Sequence, residues 1–391
     1  MTNPTDTGTT GRYLVLLELD AAEDGARALN RLAGLRLDTA DAAGGAAGDG
    51  VDGLVLPELG VAVVTADPDQ AAELTRSAGE PGPVAVVEPE RVVRAIGPAA
   101  PVLQPGAADE TALTWGLQAI GADLSTATGA GVRVAVLDTG ADLQHPDLAG
   151  RTVVSESFIR GQPVQDGHGH GTHCIGTACG PRSPATLPGY GVAYESDIYP
   201  GKVLDDTGTG ADGGILEGIS WAVANGCRVV SMSLGAPTEP GQPFSQVFEQ
   251  ASRRAMQGGT LIIAAAGNES DRSRGHIAPV GHPANCPSIM AVGAVDVQGR
   301  IANFSCGTMD DIGKVDLVGP GVDVYSSWPM STRYRRISGT SMATPHVAGV
   351  AALIAGQQQA LPDQVWVRLT QIAQRLNLPS TDVGAGLVQA P

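Results

Sequence analysis

Three short segments of this 391-residue chain carry side chains whose types and setting suit nucleophilic chemistry. Gly339–Gly349, GTSMATPHVAG, places Ser341 after Gly-Thr and before a run of small apolar residues, where a loop enters a helix. Unpaired N–H groups and the helix dipole at such a junction favour negative charge, which suits an attacking alkoxide and a developing oxyanion. The spacing puts Pro345 within about the first helical turn, where a missing N–H costs little. A lone Ser there would be an ordinary N-cap, so the reading depends on its company. Asp166–Gly176, DGHGHGTHCIG, offers His168, His170 and His173 as bases of near-neutral pKa. Val132–Gly140, VRVAVLDTG, ends an apolar run on Asp138, a carboxylate able to hold a histidine tautomer and stabilise its imidazolium.

Together, and in the chain order Asp, His, Ser, these segments resemble those of the subtilisin family of serine proteases. The resemblance runs from about Trp115 to Gln389, and it implies a serine endopeptidase working through an acyl-enzyme intermediate on protein or peptide substrates. By motif, Asp138 orients the base, His170 (the first histidine of HGTH) is general base and then acid, and Ser341 is the nucleophile. Thr260–Glu269, TLIIAAAGNE, is similar to the strand ending in the oxyanion-hole asparagine, here Asn268, whose amide would act with the Ser341 N–H. In subtilisin itself, loss of that amide costs ~10²–10³ in turnover. Ser233, Leu234 and Gly235 are similar to one wall of the S1 pocket, and Gly208, Thr209 and Gly210 to the facing strand. Both would bind extended peptide by strand addition. Ala265, Gly267 and Gly281 would leave the S1 floor open to a medium or large apolar P1 side chain, with Glu269 at the rim favouring a basic one.

His173 and His346 read as buried structural histidines, and His168 as solvent-facing. Cys174 follows HGTH as in proteinase-K-like members, so mercurials should inhibit without cysteine being the nucleophile. The resemblance requires no cofactor for catalysis but allows structural calcium. His145–Pro146–Asp147 is similar to a segment supplying a tight site, whose partner loop here, 182–188, lacks the expected oxygen donors. Asp316 lies where a weaker calcium site places its carboxylate, with carbonyls near Pro287 and Ile289; such a ligand set binds weakly.

Other chemistries fit less well. DTG also marks aspartic proteases, but its recurrences at Asp6 and Asp206 lie in a polar tail and a glycine-rich loop, with no symmetrical second half. The H-x-H-x-x-H of His168, His170 and His173 lacks an interleaved carboxylate for a metallohydrolase. Ala343 replaces the last glycine of an α/β-hydrolase elbow. A non-catalytic binding module on the same scaffold has nothing to favour it while every expected reactive residue is intact.

The elements that must position these residues fall in two parts. From Thr114 to the C-terminus, short apolar runs at 132–137, 196–204, 228–234, 260–266 and 289–295 alternate with helical segments. That pattern implies an α/β fold, a parallel sheet covered by helices on both faces in three layers. Residues 12–96 read as a small α+β unit: a strand at 12–19, a helix at 20–34, a glycine-rich loop at 44–53, strands at 53–56 and 61–66, a helix opened by Pro68, and a last strand at 84–87. The order β-α-β-β-α-β matches a split βαβ, ferredoxin-like sandwich. Residues 97–113 begin as a proline-rich linker, leaving 114–391 as the peptidase domain. The small unit resembles the family's prodomains in size, in element order and in its closing segment VAVVEPERVVRAI. By that resemblance it is an intramolecular inhibitor, removed by autoprocessing of a zymogen beyond Ile96.

Composition bounds the partners. A net charge of −17 opposes binding to nucleic acid or anionic membranes, and no apolar run approaches a membrane span. The N-terminus lacks the pattern of a secretory signal, and the odd count of 5 cysteines fits reduced thiols. Both point to a cytoplasmic enzyme, with export by another route as the alternative.

Overall fold

A computed structural model describes residues 8–18, 24–40, 50–97 and 108–391. The N-terminal part runs β1 (Thr9–Leu17), α1 (Gly25–Ala33), β2 (Leu37–Thr39), β3 (Gly53–Leu56), β4 (Val61–Val64), α2 (Pro68–Ser77) and β5 (Val84–Ala95). Its strands lie in the order β5-β1-β4-β3-β2, with β2 a short parallel addition to β3 that the sequence pattern did not indicate. The expected helix at 20–34 begins at Gly25, and residues 20–23, like 41–49 of the glycine-rich stretch and 98–107 of the linker, lie outside the described residues. α2 starts as its sequence dictates: Asp67 accepts from the backbone N–H groups of Asp69 and Gln70, and Pro68 occupies the first turn.

Side chains alternate across this sheet. Val15, Leu17, Val55 and Val64 face α1 and α2 with Leu29 and Leu74, closing one small core. Leu14, Leu16, Leu54 and Val63 face the other way, into the large core of the rest of the chain. One face of the N-terminal sheet is therefore buried by the second part of the protein.

That second part runs α3 (Trp115–Ala119), β6 (Arg133–Asp138), β7 (Glu156–Ser157), α4 (His170–Cys179), β8 (Asp197–Lys202), β9 (Thr209–Ala211), α5 (Asp212–Ala224), β10 (Val229–Met232), β11 (Leu234–Gly235), α6 (Gln246–Gln257), β12 (Leu261–Ala265), β13 (Met290–Val295), β14 (Leu317–Pro320), β15 (Val324–Ser327), β16 (Tyr334–Ile337), α7 (Thr340–Gln358) and α8 (Pro362–Ile372). Seven strands form one sheet in the order β14-β13-β12-β10-β6-β8-β7, and every pair in it is parallel. The fold is the expected α/β arrangement. β6, β10 and β12 are buried along their length, Arg133 at the start of β6 excepted, and mostly apolar, because both faces of the sheet are covered.

β5 departs most from expectation. It continues to Ala95 rather than ending at Val87, because Glu88-Pro89-Glu90-Arg91 breaks the apolar pattern without breaking the strand. Its charges are satisfied by partners distant in sequence. Glu90, fully buried, accepts from Arg12 Nε at 2.8 Å and Nη2 at 2.5 Å, from Thr10, and from the Gly213 N–H at 2.9 Å. Glu88 accepts from Ser245 Oγ at 2.5 Å and Gln246 N at 2.7 Å. Each carboxylate thus sits at a helix N-terminus, α5 and α6 respectively, where free N–H groups and the dipole favour it.

Candidate active site

β6 ends on Asp138, α4 begins on His170, and Ser341 is the second residue of α7. His170 Nδ1 lies 2.8 Å from Asp138 Oδ1, which also accepts from the Thr139 N–H at 2.7 Å. Both side chains are buried. Burial works against charge on His170, but the Asp138 carboxylate and the Cys174 sulfur outweigh it and hold the imidazole well above its usual pKa. Ser341 Oγ donates to the Ile96 carbonyl at 2.9 Å, with the Ser233 carbonyl at 3.2 Å, and His170 Nε2 has no hydrogen-bond partner.

Pro345 is the sixth residue of α7, beyond the first turn expected for it. It has no N–H to give the Ser341 carbonyl four residues back. Ser233 Oγ at 2.8 Å and Cys174 Sγ at 3.6 Å take that carbonyl instead. The proline thus ties the start of α7 to β10–β11 and α4. Cys174 Sγ also lies 3.9 Å from His170 Nδ1, and burial pushes its thiol pKa up. None of the five cysteines is paired.

Asn268 follows β12. Its Oδ1 accepts from Thr340 N and Thr340 Oγ1, both at 3.0 Å, which aims Nδ2 into the cleft, where it donates to the Gly97 carbonyl at 3.0 Å. Gly267 before it has φ +117°, and a Cβ there would sit 2.4 Å from the Glu269 carboxylate and 2.9 Å from Cys306 Sγ. Glu269 Oε2 accepts from the Cys306 thiol at 3.2 Å, so the expected rim carboxylate is folded toward the pocket floor. Ala265 lies buried in β12, and Gly281 N donates to the Ala266 carbonyl at 2.9 Å, so both line the same corner.

The segments expected to bind extended peptide hold one already. β5 enters between them as an antiparallel strand: Val93 pairs with Gly210 and Arg94 with Thr209 on one side, Arg94 with Gly235 and Ala95 with Leu234 on the other. Ala95 N donates to the Gly208 carbonyl at 2.8 Å, and Ile96 N to the Ser233 carbonyl at 3.3 Å. The Ile96–Gly97 peptide therefore lies between Ser341 and Asn268.

The remaining histidines separate cleanly. His173 Nε2 donates to the Val324 and Arg335 carbonyls, with burial lowering its pKa to about 3, and His346 Nδ1 donates to the Met342 carbonyl, with burial lowering its pKa to about 4. His168, expected to face solvent, is half-buried: its ring centroid lies 6.2 Å from that of His170, and its Nε2 would meet a Cβ at Gly208 at 3.2 Å. His168, His170 and His173 do not converge on one point. Asp138, His170 and Cys174 do cluster, but Asp138 and His170 are joined by a hydrogen bond, which leaves no gap for a metal between them. Asp206, in the last of the three DTG tripeptides, is paired with buried Lys202 at 2.7 Å.

At the two calcium candidates the chemistry differs. Asp147 Oδ2 accepts from Tyr190 at 2.5 Å and Tyr334 at 3.0 Å, so two phenol hydroxyls hold the oxygen a tight site would need. Asp316 accepts from the Ala291 N–H at 2.8 Å, and burial raises its pKa to about 7. It lines a cavity of about 200 Å³ with Asn285, Pro287, Ile289 and Lys314, and Asn285 Oδ1 is buried there without a partner. The oxygens fit a weak cation site, with the Lys314 ammonium as competitor.

A parallel α/β sheet that brings a buried Asp–His pair to a helix-borne serine, with an amide aimed beside it, defines a serine peptidase. Residues 129–384 match the family model described as the subtilase family, Peptidase S8. The chain is 40% identical to subtilisin of Bacillus pumilus over 258 residues, covering 66% of this chain and 86% of that protein. It is 41% identical to subtilisin Savinase of Lederbergia lenta over 282 residues, covering 71% and 96%. Against subtilisin E of Bacillus subtilis strain 168 it is 40% identical over 257 residues, spanning 62% of that protein's length. The chain belongs to the subtilase family and is a serine endopeptidase.

This overturns the cytoplasmic placement expected from the N-terminus and the cysteines: the subtilisins it matches are secreted extracellular enzymes. Neither feature reports on export of the folded domain, and large cores need no disulfides whatever their compartment. Among the described residues, no helix is long and apolar enough to cross a membrane.

Sequence reasoning missed the residues that hold β5 against the rest. Glu90, Arg12, Asp212 and His282 belong to no motif; the one available signal was a charged stretch interrupting an otherwise apolar strand.

Proposed function

We propose that the chain is a zymogen whose N-terminal domain, residues 12–96, occupies its own substrate cleft, and that Asp138, His170, Ser341 and Asn268 carry the reaction. The observation that carries this reading is the 2.9 Å approach of Ser341 Oγ to the Ile96 carbonyl oxygen, at the end of a strand paired on both edges. The sheet order β5-β1-β4-β3, with α1 and α2 on one face, supports a ferredoxin-like prodomain. Residues 97–113 are then the linker and 114–391 the catalytic domain.

In the reaction, His170 Nε2 takes the Ser341 Oγ proton as the oxygen attacks the carbonyl carbon. It returns that proton to the leaving amine as the acyl-enzyme forms, and a water repeats the sequence in reverse. Asp138 on Nδ1 keeps the Nε2 lone pair toward the serine and stabilises the imidazolium. Asn268 Nδ2 and the Ser341 N–H are the donors for the oxyanion. No cofactor enters these steps.

In the closed arrangement the same groups are idle. Asn268 engages the Gly97 carbonyl, one residue beyond Ile96, and Ser341 points at the carbonyl oxygen rather than at His170. Cleavage of the Ile96–Gly97 bond requires the Ile96 carbonyl to shift to Asn268 and the serine to turn to the base. A weak structural calcium at Asp316, with Asn285 and neighbouring carbonyls, completes the proposal.

Intact mass of the full chain beside Ser341→Ala, before and after incubation, tests it. Wild type should lose its first 96 residues while the variant stays whole. Persistence of both, with a fluorophosphonate still labelling Ser341, would end the maturation reading; failure to label would end the catalytic one.

A further inference from the structure

We propose that Asp212, held in place by His282, is a further substrate-binding residue, which receives the sixth residue on the amino side of the cut and favours Arg or Lys there. The inference rests on the reading above, that residues 91–96 lie in the cleft as a substrate does.

The ladder between β5 and β9 uses main-chain groups at Arg94, Val93 and Val92. β9 then stops at Ala211, because α5 begins at Asp212 and turns the backbone away. No carbonyl is left to receive the next N–H of the incoming strand. The Asp212 side chain supplies the acceptor: Oδ2 accepts from the Arg91 N–H at 3.1 Å and lies 3.6 Å from the Arg91 guanidinium. Oδ1 accepts from His282 Nε2 at 2.8 Å. The carboxylate is 0% and His282 3% exposed, and the Phe248 ring packs edge-on against the imidazole with centroids 4.7 Å apart. Asp212 therefore cannot turn away.

The other carboxylate facing Arg91 is Glu88, at 3.8 Å, which belongs to the N-terminal part and departs with it. What remains at the groove edge is an oriented anion with Oδ2 stripped of both partners. A substrate adding in the same register brings its N–H to that oxygen. A basic side chain at that residue restores the countercharge, and an acidic one meets like charge.

The test is kcat/KM of the wild-type enzyme, expressed as the full chain, on the peptide EPERVVRAIGPAA and on versions carrying Arg91→Ala or Arg91→Glu, with products located by mass. The Arg peptide should be cut roughly 3- to 10-fold faster than the Glu peptide, with Ala between, and Asp212→Asn should level the three. Equal wild-type rates with cleavage between Ile and Gly overturn the Asp212 assignment and leave the cleft reading standing. Cleavage elsewhere, or none, removes the register and overturns both. Should the Asn variant not fold, the wild-type series decides alone.

Discussion

Asp316→Asn isolates the cost of a buried carboxylate. Burial lifts this carboxyl from 3.8 to about 7, with a single hydrogen bond from the Ala291 N–H opposing. A folded-state pKa raised above the unfolded value means that the native protein binds the proton more tightly. Stability from this group is then full below about pH 4, falls as pH rises, and levels off above about pH 7. The shift sets a ceiling of ~4 kcal/mol, and structural relaxation and water entry reduce the expected gain on neutralising it to about 1–2 kcal/mol at pH 8. Asparagine keeps an oxygen for Ala291 and loses the charge. In a Ser341→Ala background, which prevents self-digestion, thermal unfolding in chelator should show the Asn variant melting higher at pH 8 and no higher at pH 4. Calcium should raise the melting temperature of the Asp316 form and leave the Asn form unmoved. Equal destabilisation of the variant at both pH values would refute the burial argument, and an equal calcium response in both forms would refute the site.

Asn268→Ala should lower kcat by ~10²–10³ with KM little changed, as steady-state kinetics on a released peptide would read; a loss confined to KM would remove the oxyanion role. Gly267→Ala meets both a positive φ and the Glu269 and Cys306 side chains, so it should destabilise by about 1–3 kcal/mol, seen as a lower denaturation midpoint; an unchanged midpoint would contradict the geometry. Burial raises the Glu217 pKa to about 7 beside Arg12 and Glu90, where it lines a cavity with Gly53, Leu54 and Val63 of the N-terminal sheet. The closed state therefore holds this proton, is tightest below about pH 4.5, and loosens as pH rises through about 7. Solvent reaching the half-buried carboxyl limits the effect to about 1 kcal/mol. Hydrogen exchange of β1 and β5 in the Ser341→Ala chain should be slower for Glu217→Gln than for its parent at pH 8 and alike at pH 4; pH-independent exchange would exclude the coupling.

The large sheet was legible because its strands are buried on both faces and read as continuous apolar runs, and because Asp138, His170, Ser341 and Asn268 each sit in a segment of about ten residues whose local geometry fixes their setting. β5 was truncated in the reading because Glu88 to Arg91 is polar, and a polar stretch ends a strand unless something distant satisfies it. His168 was placed in solvent because a glycine-flanked histidine gives no sign of the Gly208 loop that covers it.

By itself, then, the sequence determined which side chains to propose as reactive, the order in which they occur and the parallel sheet that carries them, since each follows from short-range pattern. Only the tertiary structure decided that Ile96 comes to lie against a serine 245 residues away, that two tyrosines hold Asp147, that Pro345 frees a carbonyl for Ser233 and Cys174, and that Asp212 finishes a β-ladder begun by main-chain groups. Each of these is a polar group whose partner lies far along the chain. Burial makes such a partner obligatory, but nothing in the neighbouring residues says which one it will be.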